Sequence, residues 1–465
     1  MKKILSTLSV TLMMLFASSC DDKLDIVPKG QSTLDNIDDL ETLLNQQFVV
    51  GYVNHLEGVA NSILPATWET PTQTLAAPNT LNYAIMTGDE NVDRAALATD
   101  DSRYERFYKY INYMNVVISK APESSGTDSK KQRVIAEARV LRGWFHFLLV
   151  NIYARQYDAA TAESLGGVAY VDNTNVDEQK TKLSIAQVYE RILEDCSDEV
   201  IALLSPQNLS AKMRGGADWG NAVRSAVLFQ MKRYDEALTY AQKALAIHSV
   251  VEDRSTVMQT GLWKLDYLSD NNYLLIRSNN STLGEYYGMS LTKETNDLLD
   301  PNDFVMLLGE GAGWSDNYGY GPAGCYMCAA ADVHYNSWGL RTENMLYNAA
   351  ECLIRGGKIK DGLEMIDRVK RYRINNYAPL AENTSITTEA QAMKVLQDSK
   401  RIEMLATCYN FFDRKRWNTE SAYSGNMIHQ YDDNGPYVIT PESAIWVFPF
   451  PLTATLYNSS LTQNY

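Results

Sequence analysis

NAVRSAVLFQMKRYDEALTYAQKALAIH, residues 221–248, is the stretch on which the fold turns. It reads as two helices joined by a tight turn at Lys232-Arg233. The first places Ala222, Val223, Ala226 and Val227 on one side, and the second Ala237, Leu238, Ala241, Ala244, Leu245 and Ile247. Apolar residues recurring at this spacing give each helix one apolar face. Ala237 and Ala244 stand two turns apart on that face, where a methyl group lets two helix backbones approach closely. Such a pair cannot bury its own apolar face, so it requires similar partners elsewhere in the chain.

Those partners are visible on both sides. Tyr234-Asp235-Glu236-Ala237-Leu238 with Lys243-Ala244-Leu245 resembles the second helix of a tetratricopeptide (TPR) repeat. Upstream, Tyr104–Lys120 aligns Phe107, Tyr110, Ile111, Met114 and Ile118, and Lys131–Ala154 aligns Ile135, Ala138, Leu141, Trp144, Phe145 and Leu148. The segment between them, APESSGTDSK, has turn chemistry. Ser184 is an N-cap for a helix running to Leu204. Downstream, Arg341–Ile354 and Lys358–Tyr372 flank Gly356-Gly357, with Ala350 and Gly362 in the register of Ser225 and Ala237. A last pair spans Glu389–Ala406 and Tyr409–Trp417. The pattern predicts an all-α, TPR-like scaffold of about four helical hairpins, near 104–154, 184–248, 341–372 and 389–417. A first helix is expected over Asp35–Val50, and the tail from Pro441 to Tyr465 is expected to lie along the surface. Residues 51–101 and 249–340 break the helical rhythm. Repeat scaffolds place such insertions on one face, often the binding face.

Composition narrows the partners. The 465 residues carry a net charge of −15 and no dense Lys/Arg run, which argues against nucleic acid, because phosphate neutralisation needs a basic patch. Tyrosine is abundant, at 29 against 11 Phe, and a ring with a hydroxyl suits wet recognition surfaces. Lys2-Lys3, the apolar run Ile4–Phe16 and the small residues Ala17, Ser18 and Ser19 before Cys20 read as a secretion signal too short to span a membrane. Cys20 resembles the lipid-modified cysteine of a bacterial lipoprotein, although Ala17 stands where Leu is commoner. Asp21-Asp22 resembles the acidic surface-export signal of Bacteroidota lipoproteins. The other five cysteines, odd in number and scattered, indicate no disulfide framework.

Longer motifs point the same way. Leu24-Asp25-Ile26-Val27-Pro28-Lys29-Gly30 follows the lipoprotein start, and Ala136-Glu137-Ala138-Arg139-Val140-Leu141-Arg142-Gly143 lies in the second long helix. Arg401-Ile402-Glu403-Met404 pairs with Phe412-Asp413-Arg414-Lys415-Arg416-Trp417, and the tail holds Phe448-Pro449-Phe450-Pro451 and Leu461-Thr462-Gln463-Asn464. Together these resemble the SusD/RagB family of outer-membrane nutrient-binding lipoproteins of Bacteroidota, with Phe450 where Ile is usual and Ser459 where Pro is usual. The resemblance implies a signal peptide over 1–19, a lipidated Cys20 with a tether to 34, and one SusD-like domain over 35–465. It implies a surface-exposed, lipid-anchored protein that captures oligosaccharide and delivers it to a SusC-like TonB-dependent transporter. It implies no catalysis. The residues assign no cofactor and no metal site, with calcium at acidic loops such as Asp89-Glu90 left open. Peptide import is the nearest alternative, and a lipid-anchored glycoside hydrolase a more distant one.

The residues then nominate a site. A sugar offers a C–H face and vicinal hydroxyls, so it needs flat rings flanked by paired hydrogen-bonding side chains. Trp314-Ser315-Asp316-Asn317-Tyr318-Gly319-Tyr320 supplies three rings with Asp and Asn between them. Trp314, Asp316, Asn317, Tyr318 and Tyr320 are the first candidates, with Trp68, Tyr286 and Tyr287 behind them. Glu403, Asp413, Arg414, Arg416 and Trp417 read as structural charges that fix a packing angle. Gly319–Gly324 matches GxGxxG in letters but lacks the strand-turn-helix context that phosphate binding requires. Cys325 and Cys328, with His334 nearby, make too small a ligand set for zinc and lack a redox context.

Overall fold

The computed structural model describes residues 34–99, 101–175, 177–206, 213–263, 269–278, 288–330, 333 and 335–465. The signal peptide, Cys20 and most of the tether, together with Tyr286, Tyr287 and His334, lie outside the described residues. Nine helices of nine or more residues form the scaffold among the described residues: α1 Ser102–Lys120, α2 Asp128–Tyr153, α3 Ile185–Asp195, α4 Ala217–Gln230, α5 Tyr234–Ile247, α6 Thr342–Arg355, α7 Ile359–Lys370, α8 Glu389–Glu403 and α9 Tyr409–Trp417. The fold is all-α and TPR-like. None of the described helices is long and apolar enough to cross a membrane.

The central hairpin forms as its sequence requires. The chain reverses at Lys232, whose φ of 61° is left-handed, and α4 and α5 pack along their small residues. Ala237, Ala241 and Ala244 are buried, and the Ser225 hydroxyl donates to the Ala237 carbonyl at 2.8 Å. The second unit repeats the crossing. A Cβ on Gly362 would sit 2.8 Å from the Ala350 carbonyl oxygen and 2.6 Å from Ile354 Cγ1, so α6 and α7 touch where only hydrogen fits. Helix α5 then packs on α6, stacking the two hairpins.

Caps decide the boundaries. Ser184 and Gln187 make a capping box at the start of α3, as expected. The helix does not run on to Leu204. Ser197 accepts the Val200 N–H and starts a separate turn, Asp198–Ile201, because a serine side chain competes for backbone donors. The expected helix over 35–50 is also shorter: Ile37–Thr42, capped by Asn36, and then a strand. That strand, β1 Phe48–Val49, runs parallel to β2 Ile276–Arg277, so the segment leading into the first insertion pairs with the second. One further pair matters below, β3 Trp314–Asp316 with β4 Tyr326–Cys328, and another hairpin, β5 Met427–Tyr431 with β6 Asn434–Ile439, precedes the tail.

The tail is superficial only in part: residues 452–460 stay at the surface, but the stretch before them does not. Trp446, Phe448, Phe450 and Leu461 are buried in the main core, which draws on side chains from Ile37 to Leu461. The reason lies at the end of α2, whose last carbonyls have no partners in the helix. The Phe448 N–H donates to Ile152 at 3.0 Å and the Asn464 amide to Tyr153 at 2.7 Å. Lys415 Nζ serves Asn151 at 2.8 Å and Ala154 at 2.5 Å. A buried carbonyl must be satisfied, and the tail supplies the donors.

A charged centre locks the last helices together. Arg416, fully buried, makes a fork with Glu351 of α6 at 2.7 and 2.8 Å and reaches Tyr234 of α5 and Asp413. The Trp417 indole also donates to Glu351, at 3.1 Å. Burial by itself would raise the Glu351 carboxyl, but Arg416, Arg355 and Lys400 hold it down at about 2. Beside it, Glu403 sits between Arg373, at 2.8 and 3.0 Å, and Arg341.

Candidate functional site

Three segments from the insertions lie side by side next to the end of α8. Residues 61–68 bridge to 288–291, and 288–291 bridge in turn to β4. Beneath them is a second core of Ile63, Trp263, Leu291, Val305, Trp314 and Tyr335. Above them stand the exposed rings.

The β3–β4 hairpin separates the candidate cluster into two classes. Trp314 is 6% exposed and lies 6.0 Å from the Trp263 ring in the second core. Asn317 is also buried, and its amide donates to the Pro322 and Cys325 carbonyls at 2.7 and 2.9 Å, closing the loop between the strands. These two residues therefore anchor the hairpin, and the expected platform role of Trp314 is corrected: its ring has no open face. Asp316 is exposed and accepts the Tyr318 N–H at 2.6 Å. Tyr318 is 60% exposed, with its hydroxyl donating to Glu310 at 2.6 Å. That bond, the leading cause, raises the Tyr318 hydroxyl above its usual range.

Tyr320 meets Trp68, from the other insertion. Their rings are 5.2 Å apart and nearly perpendicular, at 87°. Trp68 is 43% exposed and lies over Gly288, where a Cβ would come 2.2 Å from Trp68 Cε2. The glycine at 288 is thus what lets the indole sit down on the backbone. The two nominated rings that sequence places 252 positions apart, by their numbers, are neighbours in space. Tyr286 and Tyr287, outside the described residues, belong to the same insertion.

The glycines of 319–324 do loop work. Gly319 and Gly324 have φ of 86° and 74°, and Gly321 backs onto Ser290. A strand follows, not a helix, so no N-terminal dipole awaits a phosphate. Cys325 and Cys328 are free and buried, and burial pushes the thiols up to about 11 and about 12. Among the described residues no group of three His, Cys, Asp or Glu side chains is placed to hold a metal.

Sequence reasoning missed the neighbouring cleft, of about 330 Å³, between α8, α9 and residues 60–62. The short helix Lys293–Asn296 forms the wall it shares with the aromatic face. Asn296 bonds Tyr326 of the hairpin at 2.9 Å, while Glu294 faces the cleft and bonds Asn61 at 2.8 Å and Arg401 at 2.8 Å. The signal was present as Arg401 and Arg414, which the structural reading of their motif had absorbed.

Comparison with known proteins places this arrangement. Residues 22–214 match a family model described as "Starch-binding associating with outer membrane", and residues 331–465 match one described as "SusD family". No curated protein matches the sequence. Among solved structures, the chain is similar to a SusD superfamily protein from Bacteroides thetaiotaomicron, with TM-score 0.69, 16% identity, and coverage of 92% of this chain and 100% of that one. It is similar to a SusD-like carbohydrate binding protein from Bacteroides vulgatus, with TM-score 0.66, 16% identity and coverage of 92% and 97%. A SusD-like carbohydrate binding protein from Bacteroides fragilis gives TM-score 0.62, 14% identity and coverage of 93% and 100%.

Proposed function

The chain belongs to the SusD/RagB family of Bacteroidota, and on that premise we propose that it is a glycan-binding lipoprotein of the outer-membrane surface. Cys20 carries the lipid anchor, and the helical hairpins face a SusC-like TonB-dependent transporter that receives the oligosaccharide. The relatives from B. vulgatus and B. fragilis, described as carbohydrate binding proteins, support the ligand class.

The observation that carries the reading is the Trp68–Tyr320 pair with exposed Tyr318 beside it. Two rings at a right angle give a sugar a stacking surface and a side wall. Asp316 and Glu310, both on the hairpin side, accept hydroxyl hydrogen bonds. The reading asks for capture, orientation and release, and no bond is cleaved.

The test is a thermal shift of the soluble chain beginning after Cys20, against neutral oligosaccharides and peptides. A ligand at a hundredfold excess over Kd adds about 2.7 kcal/mol of stability. The Trp68→Ala, Tyr320→Ala double variant is expected to keep its fold and lose affinity by about tenfold or more. Unchanged affinity in that variant would remove the aromatic face from the site, and a shift with peptides alone would replace the ligand class.

A further inference from the structure

The cleft beside the aromatic face has one cation more than its carboxylates neutralise. Lys394 pairs with Asp398 at 2.5 Å, Lys400 with Asp413 at 2.7 Å, and Arg401 with Glu294 at 2.8 Å. Arg414, the fourth cation on the lining, has no ion pair among the described residues. Its one hydrogen bond is to the Gly425 carbonyl at 2.9 Å, and its Nε has no protein partner. The Gln397 amide nitrogen, also on the lining, has none either. A half-buried guanidinium without a carboxylate is costly to hold unless something anionic joins it.

The surroundings reinforce the imbalance. Burial, and then the nearby Arg401, lower the Arg414 pKa, and Glu294, already paired with Arg401, offsets them only in part. Glu57, behind Asn410 of the lining, adds no negative charge near neutrality, because burial pushes its carboxyl up to about 8.

We propose that the α8–α9 cleft binds the acidic group of a saccharide, a carboxylate or a sulfate ester, through Arg414. The adjoining aromatic face holds the neighbouring sugar ring. The guanidinium fork gives planar oxyanions two parallel hydrogen bonds, which a lysine does not supply. This rests on the glycan reading above and narrows it: the ligand is an acidic glycan, in spite of the chain's net charge of −15. A cleft of about 330 Å³ is of the size a single sugar ring needs.

The experiment is calorimetric titration of the soluble full chain with matched pairs. Tetragalacturonate is set against its methyl ester, and a chondroitin sulfate tetrasaccharide against its desulfated form. A neutral cello-oligosaccharide provides the control. Each is run at low and high salt on the wild type, Arg414→Gln, Arg414→Lys and the Trp68→Ala, Tyr320→Ala variant. One acidic member is expected to bind about tenfold or more tighter than its neutral counterpart. The advantage should vanish in Arg414→Gln and at high salt, and return in part in Arg414→Lys, with the melting temperature unchanged. Which pair responds distinguishes carboxylate from sulfate. Equal binding of acidic and neutral members, lost in the aromatic variant and indifferent to Arg414, overturns the anion site and leaves the glycan reading standing. Arg414-dependent binding of an acidic member that ignores the aromatic variant keeps the anion site and overturns the aromatic face. Silence of both acidic members overturns the inference.

Discussion

Arginine and tryptophan appear both in the charged centre under α9 and around the insertion face, and they do opposite work in the two places. In the centre every charge is paired: Arg416 with Glu351 and Asp413, Glu403 with Arg373, and the Trp417 indole bonds Glu351. At the face the rings stand proud, and Arg414, two residues before Arg416 in the same helix, has no ion pair among the described residues. Residue type therefore does not separate scaffold from site. What separates them is whether the protein itself completes the bonds. A completed buried network fixes a packing geometry, and an incomplete one near a cavity leaves room for a ligand.

The sharpest way to break the comparison is to unpair the centre. Arg416→Ala would leave Glu351 buried beside a void, and removing one partner of a buried ion pair typically costs about 3–5 kcal/mol. Chemical denaturation should show that loss, or no folded protein. A cost below about 1 kcal/mol would mean that the centre is no more committed than the face.

A smaller effect is expected where the two TPR-like units use the same crossing. Gly362→Val would drive side-chain atoms against the Ala350 carbonyl and Ile354. Overpacking of this kind costs about 1–3 kcal/mol, with ligand affinity unchanged because the crossing lies on the scaffold side. If affinity fell as far as stability, the scaffold and the insertion face would be energetically one region.

This division also explains what the sequence disclosed. Helical periodicity and small residues located eight of the nine long helices nearly in full, because helices such as α1, α3 and α7 bury one stripe and local pattern records that burial. It failed at Ser197, where one side-chain oxygen ended a helix whose apolar rhythm continued. It failed for the tail, because the need for Phe448 and Asn464 is written in the unpaired carbonyls of α2, some three hundred residues away. At the site, sequence named the rings but not their roles. Trp314 and Tyr318 are four positions apart on one hairpin; packing on the second core took one inward while the loop held the other out. Arg414 was hidden because its motif reads as structural, and only the pairing of its neighbours exposes it.

Between the two regions sits Glu57, whose helix Asn54–Val59 packs on α9. Like Glu351 it is fully buried, but its main bonds are to the Asn410 amide, at 3.3 and 3.4 Å. Burial therefore wins, and Asn410 and Arg401 offset it only in part, leaving the carboxyl at about 8. The folded pKa lies above the unfolded value, so this group's contribution is fully present below about 4.5 and is lost as pH rises to about 8. Glu57→Gln should therefore be isoenergetic at low pH and gain on the wild type by at most about 1.4 kcal/mol per pH unit through that window. Comparing the variant with the wild type cancels the other titrating groups. Melting curves across the window check it, and parallel curves would show that Glu57 is ionised and paired as Glu351 is.

The smallest effect sharpens the comparison most. Trp68 and Tyr318 both hold left-handed backbone, with φ of 59° and 53°. Large side chains rarely adopt that conformation, and glycine does so without strain. Both rings that break the rule stand on the exposed face, where neither fills the core. A strained aromatic residue retained at a loop tip is the pattern expected when the ring serves something outside the fold. Tyr318→Gly removes the strain together with the Glu310 hydrogen bond, so the melting temperature should stay within about 1 °C or rise slightly. Oligosaccharide affinity should fall in the same variant. Stability and binding moving in opposite directions is a result the charged centre cannot give, because there each side chain serves the fold it completes. A drop of several degrees with affinity intact would instead return Tyr318 to the scaffold and erase the distinction at the place where the two regions differ most.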